Sequence, residues 1–246
     1  MTTSLASTPQ PSETPRHPHR NDDALVRTVG AGHIYGEGQR AVVAVRGITK
    51  EVRRGDRIAV TGPSGSGKST LLYLLAGIET PTSGSIEWPE FGASPVGRPT
   101  YMGMVYQGSS LLPALDVTEN VALPLVLAGS TEAAARDRAH RALRTLGIFS
   151  LADKLPDELS GGQAQRVAVA RVLATEPELI LADEPTGQLD HGTGTEVIDA
   201  LLAVADHVDA ALVVSTHDPA ITVRLRTEWR LIDGALTGER TRRAQP

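Results

Sequence analysis

The chain has 246 residues, a formal net charge of −5, 40% hydrophobic and 3% aromatic residues, and no cysteine. The length suits one domain, or one core carrying a small insertion, and the apolar share is enough for a sizeable core. The lack of thiols excludes disulfides, thiolate zinc sites and a cysteine nucleophile. The acidic balance and scarce aromatics argue against a broad nucleic-acid surface or a base-stacking platform for single strands.

Residues 1–23 are polar, with Pro, Arg and His and no apolar segment, so a disordered tail is expected there rather than a signal peptide. Residues 24–35 and 41–52 mix Val and Ile with polar residues, as half-buried antiparallel strands do. Gly55-Asp56 marks a turn, and residues 57–61 form a short apolar strand that runs into a glycine-rich stretch. A helix is predicted over 69–77, a strand over 85–88, a Gly/Pro-rich loop over 90–100 and a strand over 102–106.

The character then changes. Thr118-Glu119-Asn120 can cap a helix reaching Leu127, and a second helix follows over 130–147. Residues 111–159 therefore read as an inserted helical subdomain. Ser160 opens a helix to Thr175. A buried strand over 179–182, a helix over 192–207, a strand over 211–215 and a short β-rich end to 239 complete the domain, leaving a tail at 240–246. Strands alternating with helices imply a mainly parallel sheet covered on both faces. A bilayer-spanning helix needs about 20 apolar residues. The most apolar run, 121–128, is too short and contains Pro124, so any membrane role needs a partner.

Three motifs carry chemistry. Gly62-Pro63-Ser64-Gly65-Ser66-Gly67-Lys68-Ser69-Thr70 fits G-x-x-x-x-G-K-[ST] and lies between a strand and a helix, the context that pattern requires. Its glycines let backbone N–H groups turn inward around phosphate oxygens. Lys68 offers a charge to the β- and γ-phosphates, and the Ser69 hydroxyl can ligate Mg²⁺. Asp183-Glu184 stands at the C-terminal end of the strand over 179–182, the edge where open α/β sheets bind ligands. Asp183 suits the Mg²⁺ shell and Glu184 suits a general base acting on water. Ser160-Gly161-Gly162-Gln163 is a helix start with two glycines, a second anion cradle far from the first in sequence.

The pentad that ends in those four residues, Leu159–Gln163, resembles the signature of the ATP-binding-cassette superfamily, and the rest of the chain follows that family's order. Tyr35 lies where such proteins stack an aromatic on adenine. Gln107 matches the Q-loop glutamine, Thr186-Gly187-Gln188-Leu189-Asp190 is similar to the D-loop region, and His217 matches the switch histidine. The resemblance implies a P-loop NTPase (RecA-like) α/β core with an antiparallel β-subdomain and the helical insertion, spanning 24–239. It implies ATP and Mg²⁺ as ligands, with Ser69, Gln107 and Asp183 about the metal and Glu184 and His217 as the catalytic pair. It further implies pairing with a second cassette, a homodimer in the simplest case, and an integral membrane permease subunit at the cytoplasmic face. Nucleic acid is not an expected partner.

Leu111-Leu112-Pro113, Glu119–Leu125 and Thr216-His217-Asp218-Pro219-Ala220 are similar to the lipoprotein-release and macrolide-export branch. The short, proline-rich stretch 87–103 is closer to nitrate and sulfonate importers, and Gln188 and Ala164 depart from the usual residues. A cassette that transmits force to a membrane partner without transport, as in cell division, stays open beside a transporter subunit.

Overall fold

The computed structural model describes residues 24–241; the tail expected at 1–23 and residues 242–246 lie outside them. Along the chain, β1 (Ala24–Tyr35) and β2 (Val42–Arg53) are long strands, and β3 (Arg57–Thr61) leads into α1 (Lys68–Leu75). Next come β4 (Ser83–Glu87), β5 (Met102–Val105), α2 (Val117–Leu127) and α3 (Glu132–Thr145). Then α4 (Gly161–Thr175), β6 (Leu179–Asp183), α5 (His191–His207), β7 (Ala211–Thr216), α6 (Pro219–Thr222), β8 (Thr227–Ile232) and β9 (Ala235–Thr241) complete it.

Strands β2-β1-β4 form a three-stranded antiparallel sheet. The other sheet has six strands in the order β5-β6-β7-β3-β8-β9, parallel except for the final hairpin. Residues 90–100 hold no helix or strand, as their Gly and Pro content predicts. Strand β9 runs to Thr241, with Arg240 paired to Glu228, so the sheet continues past the expected end at 239.

Strands β6 and β7 are buried along their whole length, and their alternating side chains divide between two cores. Ile180, Ala182, Leu212 and Val214 face the layer of α4 and α5, which continues into the helical subdomain through Val121, Ala139 and Leu143. Leu179, Leu181, Ala211 and Val213 face α1 and the small sheet, with Leu71, Leu75, Val45 and Val52. Each such Leu or Val adds about 1.5–3 kcal/mol of burial, so the sheet is anchored from both sides.

Helix α2 starts earlier than Thr118 suggests. Asp116 is the N-cap: its carboxylate accepts from the Glu119 N–H at 2.7 Å, and Glu119 returns the bond to the Asp116 N–H at 2.9 Å. Thr118 instead lies buried and donates to the Ala152 carbonyl at 3.1 Å. Helix α3 packs on a stripe of small residues, Ala135, Ala139 and Ala142, which lets its backbone approach α2 and α4 closely.

Candidate nucleotide-binding site

The parallel order β5-β6-β7-β3 puts four loops side by side at one edge. Gln107 follows β5, Asp183 and Glu184 end β6, His217 follows β7 and Gly62 follows β3. This is the carboxyl edge at which open α/β sheets hold ligands.

Close packing fixes the loop before α1. A Cβ on Gly67 would stand 2.0 Å from the Ala44 carbonyl oxygen, and one on Gly62 would stand 2.1 Å from that of Leu231. Gly67 is also left-handed at φ 97°, so only glycine fits there. Helix α1 begins on Gly67 without a side-chain cap, which leaves its first-turn N–H groups to an outside acceptor. Ser66 Oγ is buried and has no hydrogen-bond partner among the described residues. An uncapped helix start with an orphaned hydroxyl beneath it fits a phosphate group. Pro63, Ser64, Gly65 and Ser69 are exposed along the loop, and Thr70 is buried behind it.

Lys68 is nearly enclosed, yet its Nζ donates to the Gly62 and Pro63 carbonyls, both at 3.1 Å, and pairs with Glu184 Oε1 at 3.2 Å. The other Glu184 oxygen lies 3.5 Å from His217 Nδ1. The backbone of Glu184 is left-handed at φ 42°, an uncommon conformation for a side chain of this kind. It is held there by Ser215, whose hydroxyl accepts the Glu184 N–H at 2.9 Å and donates to Asp183 Oδ1 at 2.6 Å. Gln107 joins the group: a Cβ on Gly187 would stand 3.4 Å from both Gln107 Nε2 and Glu184 Oε2. Burial, and then the Asp183 charge, raises the phenol pKa of Tyr73 above its ordinary value.

The donor set suits Mg²⁺. Among the described residues no cluster of three His, Cys, Asp or Glu side chains forms a cation cage. A single buried carboxylate, a serine hydroxyl and an amide leave the remaining positions to substrate phosphates and water, which is how Mg²⁺ is held at phosphate sites.

Tyr35 sits apart from this group. It pairs with Val42 across β1 and β2, and Ala44, two residues on, is the one that touches Gly67. The aromatic is thus about 7 Å of strand from the loop contact, on the exposed rim of the small sheet. Ser160-Gly161-Gly162-Gln163 does not reach the loop either. Ser160 accepts from the Gln163 N–H at 3.2 Å and Gln163 accepts from the Ser160 N–H at 3.0 Å, a closed capping box. Ser160 and Gly161 are exposed, and Gly162 is pressed on Thr193, where a Cβ would stand 2.0 Å from its methyl. The expected second anion cradle therefore has two of its donors already paired within its own turn.

Several supporting contacts escaped the motif reading. Ser215 holds the Asp183 carboxylate and the Glu184 backbone, but its role depends on β6 and β7 pairing Asp183 with Ser215, which no local pattern reveals. Gln165 is buried and donates to the Tyr106 carbonyl at 2.9 Å, tying α4 to the residue before Gln107. Asn120, fully buried, accepts from the Leu112 N–H and donates to the Leu112, Leu115 and Asp116 carbonyls. Leu111 packs against the core while Leu112 is 46% exposed, so the apolar run at 111–113 is only partly a surface.

A family model described as ABC transporter matches residues 45–187. The chain is 38% identical over 224 residues to the lipoprotein-releasing system ATP-binding protein LolD of Chromohalobacter salexigens, covering 88% of this chain and 94% of that one. The LolD of Legionella pneumophila is 41% identical over 209 residues, 82% of this chain and 92% of that protein. The macrolide export ATP-binding/permease protein MacB 1 of Aeromonas hydrophila is 38% identical over 91% of this chain but only 36% of its own length. A solved dimeric ATP-binding cassette in a post-hydrolysis state bound to ADP and Pi has a TM-score of 0.81 at 31% identity, over 90% of this chain and all (100%) of that one. The cbiO1 protein of Clostridium perfringens, part of an ABC transporter complex, gives a TM-score of 0.77 at 29% identity, over 89% of each chain. With the loop of Lys68, the carboxylates of β6 and the signature helix in the family's order on the family's fold, the chain belongs to the ABC transporter family as an ATP-binding and ATP-hydrolysing subunit.

Proposed function

We propose that this cassette hydrolyses ATP between two copies of itself and drives a separate membrane permease of the lipoprotein-release or macrolide-export type. The observation that carries the catalytic reading is Glu184, held between Lys68 Nζ at 3.2 Å and His217 Nδ1 at 3.5 Å. A carboxylate held between two donor groups is aimed, in place to accept the proton of an attacking water.

In this reading the N–H groups of 65–69, the positive end of α1 and Lys68 bind the phosphates of ATP. Water attacks the γ-phosphorus, the bond to the bridging oxygen breaks and ADP leaves, while Glu184 takes the proton of the attacking water. His217 orients Glu184. Ser69, Gln107 and Asp183 would hold Mg²⁺, which neutralises phosphate charge when bound. Tyr35 carries the adenine. The turn Ser160, Gly161, Gly162 and Gln163, with Ser160 and Gly161 on its exposed face, serves the γ-phosphate bound by the partner copy. Loss of that phosphate on hydrolysis removes the bridge and lets the dimer open.

Among the described residues no helix is long and apolar enough to cross a membrane. In this reading the permease is a separate chain, which the cassette binds peripherally at the cytoplasmic face. Exposed Leu112 and the rigid Asn120 turn beneath it suit docking of that chain. The similarity to LolD and MacB favours export or envelope extraction over import.

Light scattering of Glu184→Gln with ATP tests the composite site: a stable dimer is expected, and a monomer with normal turnover would overturn it. Affinity purification from membranes tests the partner. A permease with few spans and a large external domain is expected; a multi-span importer permease would overturn the branch.

A further inference from the structure

Behind Tyr35 lies a polar pair that none of the motifs uses. His33, two residues earlier on β1, is 7% exposed. Its Nδ1 lies 2.9 Å from the Thr80 carbonyl oxygen. A carbonyl only accepts, so Nδ1 carries the proton and Nε2 is turned toward Glu79, 3.7 Å away. The imidazole meets the Tyr35 ring edge-on, with centroids 4.4 Å apart and planes at 68°. The Tyr35 hydroxyl donates to the other Glu79 oxygen at 3.4 Å.

The ring of Tyr35 is thus held at its side by His33 and at its tip by Glu79. Without those contacts a tyrosine that is 39% exposed on a sheet rim would exchange rotamers freely. Glu79 is itself fixed. Its N–H donates to the Tyr73 carbonyl at 3.2 Å, where α1 ends, and α1 begins at the phosphate loop. One short helix therefore carries the phosphate cradle at its start and the brace of the aromatic just past its end.

We infer that His33 and Glu79 are positioning residues for the nucleotide base, holding the ring of Tyr35 at a set angle and distance from the phosphate loop. The inference rests on the reading of Tyr35 as the base platform. Fixing the ring before ATP arrives lowers the ordering cost of binding, so the pair acts on affinity and leaves the chemical step alone.

The test compares ATP with inorganic tripolyphosphate, which offers the phosphates without a base. In the full chain, Tyr35→Ala is expected to raise KM for ATP about 5-fold or more, as loss of a stacking aromatic does. His33→Ala, which removes an edge-to-face contact, and Glu79→Ala, which removes a hydrogen bond, are each expected to raise it about 2- to 12-fold. In the His33 and Glu79 variants, kcat and inhibition by tripolyphosphate stay at the wild-type value, and Glu79→Gln, which keeps an acceptor for the Tyr35 hydroxyl, restores most of the affinity. If Tyr35→Ala leaves KM unchanged, the base platform and the brace both fall. If Tyr35→Ala weakens ATP while His33→Ala and Glu79→Ala match wild type, only the brace falls. Parallel loss of tripolyphosphate inhibition in the His33 or Glu79 variants would place the effect in the phosphate loop and overturn the inference. Should the buried His33 variant fold poorly, the half-exposed Glu79 pair carries the test.

Discussion

The two helices that open on glycine and serine meet the same electrostatic problem in opposite ways. Helix α1 starts on a left-handed glycine with no side-chain cap, walled in by the carbonyls of Ala44 and Leu231. Helix α4 starts on Ser160 with a complete capping box and an exposed outer face. Both N-termini are positive; the first has no side-chain acceptor, whereas the second has its Ser160 and Gln163 N–H groups paired. The first is built to be completed by a ligand from within the chain's own cleft. The second is stable by itself and offers its charge outward, as a surface that meets a ligand already bound elsewhere would.

That contrast can be broken at several points. The largest effect is expected from Lys68→Ala, which removes the charge from the first helix start. A charge-assisted contact worth about 1.5–3 kcal/mol corresponds to a loss of roughly 10- to 150-fold in nucleotide affinity, measured with a fluorescent ATP analogue. Unchanged affinity would show that the cradle works without its cation. Next is Gly67→Ala: the left-handed backbone alone costs about 1–3 kcal/mol, and the clash with Ala44 adds to it, so a lowered urea midpoint is expected even without nucleotide.

Ser160→Ala should cost about 1 kcal/mol through the lost cap. It should also lower ATP turnover most at protein concentrations where dimers form; turnover reduced equally at all dilutions would argue that Ser160 acts within its own chain. Gly161→Ala sharpens the point, since a Cβ there would make only ordinary contact with Leu189 at 3.5 Å. Stability is expected to stay within about 0.5 kcal/mol while concentration-dependent turnover falls.

The smallest effect concerns Asp190, the cap of α5. Hydrogen bonds from the Thr193 N–H and hydroxyl hold its carboxyl below the usual aspartate range. A depressed folded value means that the stabilisation is present above the ordinary aspartate pKa and is lost as pH falls through the folded one. The stability difference between wild type and Asp190→Asn should therefore be full near neutrality and shrink as pH falls into the acid range; a difference that persists unchanged to the acid end would assign it to another group.

The four edge loops were legible because each motif sits at a strand end, and a strand end in a parallel sheet is a place as well as a pattern. Strand order was not legible, since the pairing of β6 with β7 and of β7 with β3 joins residues distant in sequence. Ser215 was hidden for that reason. Asp116 was missed because Thr118 and Asp116 are both competent caps, and burial of Thr118 against Ala152 decided between them. The hairpin of β8 and β9 had a local signal in Asp233-Gly234, both with positive φ as a tight turn requires. The closure of the signature turn was readable from Ser160 and Gln163, three apart, yet the two glycines between them drew the eye to free N–H groups.

Ser215 holds both acidic residues at the end of β6, and His217 follows it by two peptide units on the same strand exit. A load applied to the loop after β7 therefore reaches Asp183 and Glu184 together, through one hydroxyl acting as a latch. The exits of β6 and β7 are thus one mechanical unit, and neither loop can shift without the other.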